Sequence, residues 1–600
     1  MNKHAIYHLT DTPWAYARDE DTLSLRIRTA SNDMRRVTVF YKDRYDWFSP
    51  WLEKDLEIMA KTELFSYWTT DLKVPRNRYR YFFELEDQNQ EVVSYDEQGF
   101  EAPGTMNRER NAFQFAYIGP ADVYHGKDQL VDSIVYQIFP ERFHNGDPSN
   151  DPEGTMPWGG LPRKRNSFGG DLKGIIEKID YLEDLGIDLI YLTPIFKSSS
   201  NHKYNISDYY AVDPQFGTLE DAKKLVRVAH KAGIRVFFDA VFNHTGSDFF
   251  AFQDVLEKQD QSKYYDWYHI DSLPVSIKKL NYYTFANKIS TMPKLRTENP
   301  EVRDYFFEVG RYWIREIGID GWRLDVCDEV DHEFWHGFRK ACEEENPKAA
   351  LVGEIMHESS AFLKGKELDS IMNYPFLHAM IDFFAVRTSN AHHFMDILAR
   401  NRIIYMDQMT RQMWNLLGSH DISRFLTFAK GEKKRLKLAS AFQFLYIGTP
   451  YIYYGDEVGL DGGHDPLCRR CMEWDETKQD TSLLSHYKGL IKLRKSSAAF
   501  SRGDFKEVLR DEACIGFVRK GEEEEFLCFF NNSDQDQTFS LKGVQLSHWN
   551  IKEVTPSLVS NEREGSNETL ASYPEELIDL RECAELNLEA MSYRVFKVEV

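Results

Sequence analysis

Several features typical of secreted, membrane-bound or nucleic-acid-binding proteins are scarce or missing in this sequence. Only seven cysteines occur in 600 residues, scattered from Cys327 to Cys583, and such an odd, dispersed set does not suit a disulfide framework. No run of about 18 apolar residues, as a membrane-spanning helix would need, is present. Basic residues number 74 against 96 acidic ones, and the net charge of -22 disfavours a phosphate-backbone partner. The sequence therefore predicts neither a nucleic-acid partner nor a membrane.

The start of the chain argues against a secreted protein, and its closely spaced cysteine pair does not indicate a metal or redox site. MNKHAIYHLT has neither the apolar core nor the cleavage site of a signal peptide, so we predict a cytoplasmic protein. CRRC, residues 468–471, has no second Cys or His pair nearby, and we interpret it as two free thiols. With 42% hydrophobic and 14% aromatic residues the chain can bury large cores, and its length indicates two to four domains.

The hydrophobic pattern divides the chain into three predicted domains. Residues 1–121 contain short alternating runs such as TLSLRIRTA between polar turns, which is typical of a β-sandwich. Residues 122–505 alternate apolar strands with amphipathic helices eight times, which predicts an α/β domain, a (β/α)8 TIM barrel. An inserted excursion at about 245–296 should leave the barrel after its third strand. Residues 506–600 return to alternating runs and predict a C-terminal β-sandwich.

Acidic residues recur near the C-terminal ends of four predicted barrel strands, where the active sites of such barrels lie. They are Asp239, Asp325, Glu354 and Asp421. In GWRLDV, Arg323 and Asp325 point to the same side, because strand residues i and i+2 do. One such acid could be a structural ion pair, but four acids on four strands of one barrel favour a shared site.

The residue types at this site match glycoside cleavage. The four acids are joined by Arg323, by His244 and His420, and by many aromatic residues. In glycoside hydrolysis one carboxyl group protonates the leaving oxygen, and another attacks or shields the oxocarbenium-like sugar. A divalent metal site is the competing use of clustered acids. It would leave Arg323 unexplained, because a cation beside metal ligands opposes metal binding.

Four motifs carry a family resemblance. DAVFNH, GWRLDV, GEIMH and LLGSHD, in that order and spacing, resemble the short signature regions of the α-amylase family of glycoside hydrolases. MPKL, residues 292–295, narrows the resemblance to the neopullulanase, cyclomaltodextrinase and maltogenic amylase subgroup, whose members also carry an N-terminal β-sandwich. The resemblance implies a retaining hydrolase of α-1,4 glucosidic bonds, with α-1,6 bonds and transglycosylation as further options. The implied substrates are cyclodextrins, maltooligosaccharides, pullulan and starch.

The resemblance also implies roles position by position. Asp325 corresponds to the nucleophile, Glu354 to the general acid and base, and Asp421 to the transition-state stabiliser. Independently of the resemblance, Arg323 should keep Asp325 ionised, whereas the other acids should raise the pKa of Glu354. The residues for which the resemblance implies substrate contacts are Tyr204, Asp239, His244, Arg323, Glu329, Met356, His420, Asp465 and Arg469.

Several positions depart from the subgroup pattern. Met356 stands where the subgroup has tryptophan, which removes an aromatic platform on the leaving-group side. Cys327 and Asp328 replace an Ala-Asn pair, and Asn205 replaces an aspartate. None of these is one of the three catalytic acids. They leave open the acceptor preference and the balance of hydrolysis against transglycosylation.

A turn rich in oxygen side chains is a candidate metal site. NGDPSND, residues 145–151, and GGD, residues 169–171, suit calcium, and an Asx-rich turn that bonds its own backbone is the alternative. The resemblance implies a structural Ca2+ held by Asn145, Asp147, Asn150, Asp151, the Gly169 carbonyl and Asp171.

The N-terminal run RYDWFSPW predicts a contact surface. Its aromatics, Tyr45, Trp47, Phe48 and Trp51, cluster in a loop-like stretch and do not alternate with polar residues as the core of a strand would. Packing within the sandwich core is the alternative. The resemblance implies that this domain docks against a partner subunit and narrows its cleft, so we expect a homodimer.

Two other functions stay open at this point. An α-1,6-glucosidase or glucosyltransferase of the same family would keep the three acids and change the MPKL segment. A non-catalytic glucan-binding barrel protein would be expected to lack one of the three acids, and all three are present here.

Overall fold

The computed structural model describes residues 1–104, 108–541, 544, 546–548, 550–556, 577–579 and 585–599. Within these ranges the chain forms an N-terminal pair of sheets, a closed parallel barrel and a C-terminal pair of sheets. The predicted fold class is thereby confirmed. Cys583 and parts of the predicted domain 506–600 lie outside the described residues, and the domain boundaries at 121 and 505 stay predictions.

The N-terminal strands form two antiparallel sheets that share one core. One sheet has the spatial order β1-β2-β6-β5, the other β4-β3-β7-β8-β9, with β10 beside β7. Leu25 and Ile27 on β2 belong to the same buried cluster as Tyr81 and Phe83 on β7, so the sheets pack face to face. The strands are β1 (Ala15–Ala17), β2 (Leu23–Ala30), β3 (Met34–Asp43), β4 (Leu52–Asp55), β5 (Glu57–Lys61), β6 (Phe65–Leu72), β7 (Tyr79–Asp87), β8 (Val92–Asp96), β9 (Gly99–Glu101) and β10 (Phe113–Phe115).

The barrel closes through parallel pairs only. Its strands pair in the order β11-β12-β15-β16-β17-β18-β19-β20, and β20 returns to β11. Most of their residues are buried, as apolar runs in a parallel sheet covered by helices should be. All eight correspond to the apolar runs identified in the sequence. They are β11 (Val135–Ile138), β12 (Leu189–Leu192), β15 (Arg235–Ala240), β16 (Gly321–Leu324), β17 (Ala350–Ile355), β18 (Ser370–Asn373), β19 (Trp414–Leu416) and β20 (Thr449–Tyr453), with an outlying hairpin of β13 (Phe196–Ser198) and β14 (Ile206–Val212).

The helices begin and end at residues suited to those positions. The helix Pro300–Ile317 is capped by the Asn299 side chain, has proline in its first turn and ends at Gly318, whose φ of 82° favours glycine. None of the helices in the described ranges is long and apolar enough to cross a membrane. The helices are α1 (Arg108–Asn111), α2 (Asp128–Val131), α3 (Pro140–Phe143), α4 (Leu172–Glu177), α5 (Ile179–Leu185), α6 (Leu219–Lys231), α7 (Phe250–Lys258), α8 (Pro300–Ile317), α9 (His332–Glu345), α10 (Tyr374–Met380), α11 (Ala391–Ile403), α12 (Asp407–Thr410), α13 (Phe425–Phe428), α14 (Lys433–Leu445), α15 (Thr481–Lys495) and α16 (Ala498–Ser501).

The chain between β15 and α8 folds back over the mouth of the barrel. It contains α7 and isolated antiparallel bridges, of which one joins His244 to Lys294 and another joins Tyr268 to Leu295. The Lys294 ammonium also contacts the side chains of Asn243 and Glu329. The MPKL segment therefore lies beside the C-terminal ends of β15 and β16, where the acidic residues are.

A buried arginine joins the N-terminal sheets to the barrel. The Arg26 guanidinium donates to the carbonyls of Ile403 and Tyr405 at 2.8 and 2.6 Å, and to Asp407 Oδ1 at 2.7 Å. Removing one partner of a buried charged contact is costly, because the other is left without compensation. This contact holds the N-terminal domain against α11 and α12.

The C-terminal strands form a six-stranded sheet and a two-stranded sheet around a small core. The larger sheet has the order β21-β22-β23-β28-β25-β26, and β24 pairs with β27. Phe529 and Phe596 from the larger sheet share this core with Phe539 and Leu588 from the smaller one. The strands are β21 (Asp504–Asp511), β22 (Cys514–Lys520), β23 (Glu525–Asn531), β24 (Gln537–Ser540), β25 (Asn550–Glu553), β26 (Leu577–Asp579), β27 (Glu585–Leu588) and β28 (Ser592–Glu599).

Candidate active site

Neighbouring barrel strands bring the predicted acids to one place. Asp239 lies on β15 beside Arg323 on β16, and Asp325 follows the last residue of β16. Glu354 is the penultimate residue of β17, and Asp421 lies in the loop after β19. Because parallel strands end at the same rim, residues more than 180 positions apart in the sequence converge there.

Arg323 is the common neighbour of three of these acids. Its side chain is 0% exposed, and Nη1 donates to Asp239 Oδ2 at 2.9 Å and to Asp325 Oδ1 at 2.8 Å. Nη2 lies 2.8 Å from Glu354 Oε2, but the two are not aligned for a hydrogen bond. The guanidinium also faces the Tyr191 ring, 5.6 Å from its centroid. One buried cation thus serves three carboxyl groups.

Burial dominates the electrostatics of the acids. Burial raises the pKa of Asp325 well above its ordinary value; Arg323 opposes this shift, and the neighbouring carboxylates add to it. Burial likewise raises the pKa of Glu354, again against Arg323. The expectation for Glu354 agrees with the structure. Arg323 lowers the pKa of Asp325 in the expected direction, but burial outweighs it, because one guanidinium divided among several carboxyl groups does not offset the loss of water. That Arg323 keeps Asp325 ionised therefore stays a prediction.

A cavity of about 650 Å3 opens above the acids. Three predicted substrate-binding residues, Asp239, Arg323 and His420, are fully buried and do not border this cavity. The predicted site residues that border it are Tyr204, His244, Asp325, Glu329, Glu354, Met356, Asp421, Asp465 and Arg469. The predicted set therefore separates into a layer that meets the cavity and a layer that supports it from below.

Tyr204 links the two layers. Its hydroxyl donates to Asp239 Oδ2 at 3.0 Å and lies 2.6 Å from His420 Nε2. The Tyr204 and His420 rings are parallel, with centroids 5.4 Å apart. Burial lowers the pKa of His420 well below its ordinary value, and the nearby arginines lower it further. A neutral His420 thus holds the tyrosine whose ring borders the cavity.

Two more neutral imidazoles face the cavity. Burial lowers the pKa of His244 to about 3 and that of His202 to about 4. A neutral imidazole offers one nitrogen donor and one nitrogen acceptor, which suits sugar hydroxyls. His202 was not among the predicted site residues. The signal that could have identified it is its position two residues before Tyr204, a predicted site residue. The structure shows that both side chains border the cavity.

An arginine at the border of the cavity supports the third acid. Arg469 Nη2 donates to Asp421 Oδ1 at 3.2 Å, and its Nη1 lies 3.0 Å from Asp465 Oδ1. His420 Nε2 lies 3.1 Å from Asp421 Oδ2. Asp465 and Arg469 thus form an ion pair, and both residues also border the cavity.

The departures from the subgroup pattern have distinct surroundings. Met356 is 48% exposed and borders the cavity. Asp328 Oδ2 lies 2.9 Å from His357 Nε2, in an ion pair at the same rim. Cys327 is buried behind Glu354, and Sγ lies 3.5 Å from the Glu354 carbonyl. The Asn205 side chain accepts a hydrogen bond from Ser198 and donates one to Ser199, both in its own loop. Its role is therefore structural.

The oxygen-rich turn meets the chemistry of a calcium site in part. The side-chain oxygens of Asn145 and Asn150 are buried without a hydrogen-bond partner, and Asn145 Nδ2 donates to Asp151 Oδ1 at 2.9 Å. A side chain at Gly169, whose φ is 83°, would collide with Asn145 and Asp151. Buried oxygens of this kind need a donor or a cation. These four residues fit a calcium ion.

The other two predicted ligands are already engaged. Asp171 accepts hydrogen bonds from the backbone of Gly146, Asp147 and Gly174, and so caps α4. Asp147 accepts from Ser149. Throughout the part of the chain that the structure describes, no three His, Cys, Asp or Glu side chains are grouped so that they could hold a metal ion. A cation here would depend on amide and carbonyl oxygens with Asp151.

Comparison with known proteins agrees with the fold and the position of the acids. The family model described as the α-amylase catalytic domain matches residues 137–503, and that of the α-amylase N-terminal ig-like domain matches residues 1–119. The chain belongs to the α-amylase family. A cyclomaltodextrinase from Thermoanaerobacter pseudethanolicus (strain ATCC 33223 / 39E) is 47% identical over 546 residues, 91% of this chain and 95% of the relative.

Two further relatives support the same subgroup. Neopullulanase 2 from Thermoactinomyces vulgaris is 45% identical over 550 residues, which cover 90% of this chain and 93% of that protein. A solved structure of a cyclomaltodextrinase superposes with a TM-score of 0.91 at 41% identity and covers 100% of both chains. This α-amylase family member is therefore a glycoside hydrolase of the cyclomaltodextrinase and neopullulanase type, as the motifs predicted.

Proposed function

We propose that this protein is a retaining hydrolase of α-glucans that cleaves α-1,4 glucosidic bonds in cyclodextrins, maltooligosaccharides, pullulan and starch, with α-1,6 cleavage and transglycosylation as secondary reactions. The observation that carries the proposal is that Asp325 and Glu354 border one cavity and share Arg323 as a neighbour. Retaining glycosidases use two carboxyl groups close enough for one to attack while the other protonates. Its cytoplasmic location remains a prediction of the sequence.

The reaction divides into two displacements. Glu354 gives its proton to the glycosidic oxygen as Asp325 attacks the anomeric carbon, so that the leaving sugar departs and a glycosyl ester forms. The Glu354 carboxylate then takes a proton from water, and the resulting attack on the anomeric carbon releases Asp325. An acceptor sugar in place of water gives a transfer product. Asp421, held by Arg469, stabilises the positive charge that develops on the ring.

The hydrogen bonds of Arg323 favour this division of roles. Burial raises the pKa of both Asp325 and Glu354, which favours a proton shared within the cluster. Arg323 donates hydrogen bonds to Asp325 and Asp239 but not to Glu354. A carboxylate that accepts from a guanidinium is favoured in its ionised form, so the proton belongs on Glu354.

The competing functions make different observable products. A non-catalytic glucan-binding barrel would release no sugar, although all three acids converge here. An α-1,6-glucosidase would cleave isomaltooligosaccharides in preference to maltooligosaccharides, and a glucosyltransferase would give mainly longer chains. Incubation with β-cyclodextrin, pullulan and starch, followed by chromatography of the products, separates these functions.

The first prediction concerns the nucleophile. Asp325→Asn should lower kcat/KM on maltohexaose by at least about 1,000-fold, because the nearly isosteric amide cannot attack. Asp304→Asn, at an exposed position on α8, serves as the matched control and should keep wild-type activity. Early-time proton NMR of wild-type digests should show newly released sugar as the α-anomer. A β-anomer, or a folded and active Asp325→Asn variant, would contradict the mechanism.

Met356 supports an acceptor-side effect. Its thioether is half exposed in the cavity, where an aromatic ring would stack on an incoming sugar more strongly. We propose that the methionine shifts the balance towards hydrolysis.

The second prediction is that Met356→Trp raises the ratio of transfer to hydrolysis products at high maltotriose by about two- to tenfold, as expected for a stacking gain of about 0.5–1.5 kcal/mol. Met356→Leu, which adds no ring, is the control and should leave the ratio unchanged. Product ratios are measured by chromatography at equal conversion. An unchanged ratio in the tryptophan variant would argue against an acceptor at this position.

We propose a structural calcium ion at the oxygen-rich turn. The unpartnered oxygens of Asn145 and Asn150, together with Asp151 and the Gly169 carbonyl, support it. When bound, the ion would tie the turn to the segment that leads into α4. Asp147 and Asp171 would contribute through the backbone that they hold.

The third prediction is a calcium-dependent thermal stability. At a hundredfold excess over Kd, Ca2+ should stabilise the protein by about 2.7 kcal/mol, and EDTA should lower Tm correspondingly. Mg2+ should have a smaller effect, since it demands a tighter octahedral shell. Asn150→Leu should abolish the response to Ca2+ in differential scanning fluorimetry. Equal Tm values with Ca2+ and EDTA would reject the site.

We propose that the N-terminal domain forms a homodimer through its aromatic loop. Phe48 is 98% exposed, and Tyr45 and Trp47 are also exposed. The loop is nevertheless ordered, because the Asp46 carboxylate accepts from the Phe48 amide and the Asp46 carbonyl accepts from Arg80. Exposed aromatics on a rigid loop are typical of an interface.

The fourth prediction is that the wild-type protein has twice the chain mass of 70.4 kDa in light scattering, whereas Phe48→Glu is monomeric. The variant should also lose hydrolysis of β-cyclodextrin relative to starch, because a partner no longer narrows the cleft. Leu9→Ser changes another exposed apolar residue of the same domain and should remain dimeric. A wild-type species of one chain mass at micromolar concentration would refute the dimer.

A further inference from the structure

A loop of three consecutive cations overhangs one side of the cavity. Arg163, Lys164 and Arg165 are all exposed, and the first two border the cavity whereas the third does not. No ion pair joins any of the three to another residue in the ranges that the structure describes. In a chain with a net charge of -22, this is a local concentration of positive charge beside an acidic site.

The other arginines that border the cavity are differently placed. Arg142 contacts Glu141, and Arg469 pairs with Asp421 and Asp465. Their charges are compensated within the protein, so they act as parts of the wall. Arg163 and Lys164 have no such partner among the described residues and remain available to a ligand.

The loop is held in place by hydrogen bonds of its own backbone and of its neighbours. Asn166 brackets it, because its Oδ1 accepts from the Arg163 amide at 2.8 Å and its Nδ2 donates to the Leu161 carbonyl at 3.0 Å. The Asn166 carbonyl accepts from Arg142 Nη2 at 3.2 Å and from Asn201 Nδ2 at 2.8 Å. Trp158 Nε1 donates to the Met472 carbonyl at 3.0 Å. The backbone that presents the cations is therefore organised before any ligand arrives, which lowers the entropic cost of binding.

A neutral glucan does not need this pair. Sugar hydroxyls are matched by neutral donors and acceptors, and the His202 and His244 imidazoles supply these in the cavity. A guanidinium and an ammonium side by side suit a phosphate monoester, because the planar guanidinium binds two of its oxygens and the ammonium adds a point charge. The acids at the centre of the site would repel such a group, so it must sit at the rim.

We propose that Arg163 and Lys164 form an anion subsite that favours α-glucans carrying a phosphate monoester on a sugar bound at this side of the cavity. The proposal rests on the proposed α-glucan hydrolysis and adds a substrate class to it. The phosphate takes no part in the chemistry at Asp325 and Glu354. It contributes binding energy at the rim while a neutral glucosyl unit occupies the centre.

The test compares one substrate preparation in two forms. Maltooligosaccharides with a single 6-phosphate are assayed before and after treatment with alkaline phosphatase. The quantity compared is the kcat/KM of the phosphorylated preparation divided by that of the dephosphorylated one. The ratio should be about tenfold lower in the double variant Arg163→Gln/Lys164→Gln than in the wild type, since each lost contact is charge-assisted. Arg165→Gln is the matched control, because it removes a cation of the same loop that does not border the cavity, and it should keep the wild-type ratio.

Ionic strength supplies a second readout. Raising NaCl from 50 to 500 mM should bring the wild-type ratio towards that of the double variant, since salt screens exposed charges over about a Debye length. Calorimetric titration of the same two preparations into the Asp325→Asn protein gives the binding ratio without turnover. Absence of turnover of the neutral preparation by wild type would refute the proposed function and leave the binding ratio measurable.

Three outcomes would overturn the anion subsite. They are no loss for either substrate in the double variant, an equal loss for phosphorylated and neutral substrates, and a fall in the ratio in Arg165→Gln as large as in the double variant. The second would mean that the loop only balances the acids of the cavity. The third would mean that the net charge of the loop acts without a specific contact.

Discussion

The site depends on one buried cation. Arg323 has no exposed surface, and a guanidinium without water needs oxygen acceptors around it, which here are carboxylates. Asp239 and Asp325 accept its hydrogen bonds, and Glu354 lies within ion-pair distance. The same acids would destabilise one another without it. Barrel closure is what places the cation and its acids on adjacent strands, so the fold and the chemistry depend on the same contact.

The surroundings of this cation form two layers with different tasks. Below the cavity, Asp239 accepts hydrogen bonds from Tyr191 and Tyr204, and His420 holds the Tyr204 hydroxyl. These groups are buried and neutral or paired, and they fix the orientation of what lies above. The upper layer borders the cavity. A rigid lower layer matters because an enzyme gains most from groups that need no rearrangement in the transition state.

The proposed determinants of specificity lie in segments that leave the barrel. Met356 and Asp328 follow two catalytic strands. The loop of Arg163, Lys164 and Arg165 comes after the oxygen-rich turn in the chain, and the aromatic loop with Phe48 belongs to the N-terminal domain. The two loops are anchored by their own hydrogen bonds, so they can change without disturbing the buried acids. The catalytic acids of the α-amylase family thus lie at the centre, while the departures from the subgroup pattern lie around them, Met356 and Asp328 at the cavity, Asn205 within its own loop and Cys327 buried behind Glu354.

Sequence alone determined the eight barrel strands and the flanking sheets, because period-two alternation and apolar runs are local signals. It also determined the acids, because the active site of such a barrel lies at the C-terminal ends of its strands. Tertiary structure decided what depends on distances between strand ends. The pKa of Asp325 followed burial and shared neighbours, which a motif does not encode. His420 and Asp239 proved to support the cavity from below, and His202, Arg163 and Lys164 emerged at its border. Which residues line a cavity depends on how segments far apart in the sequence pack together.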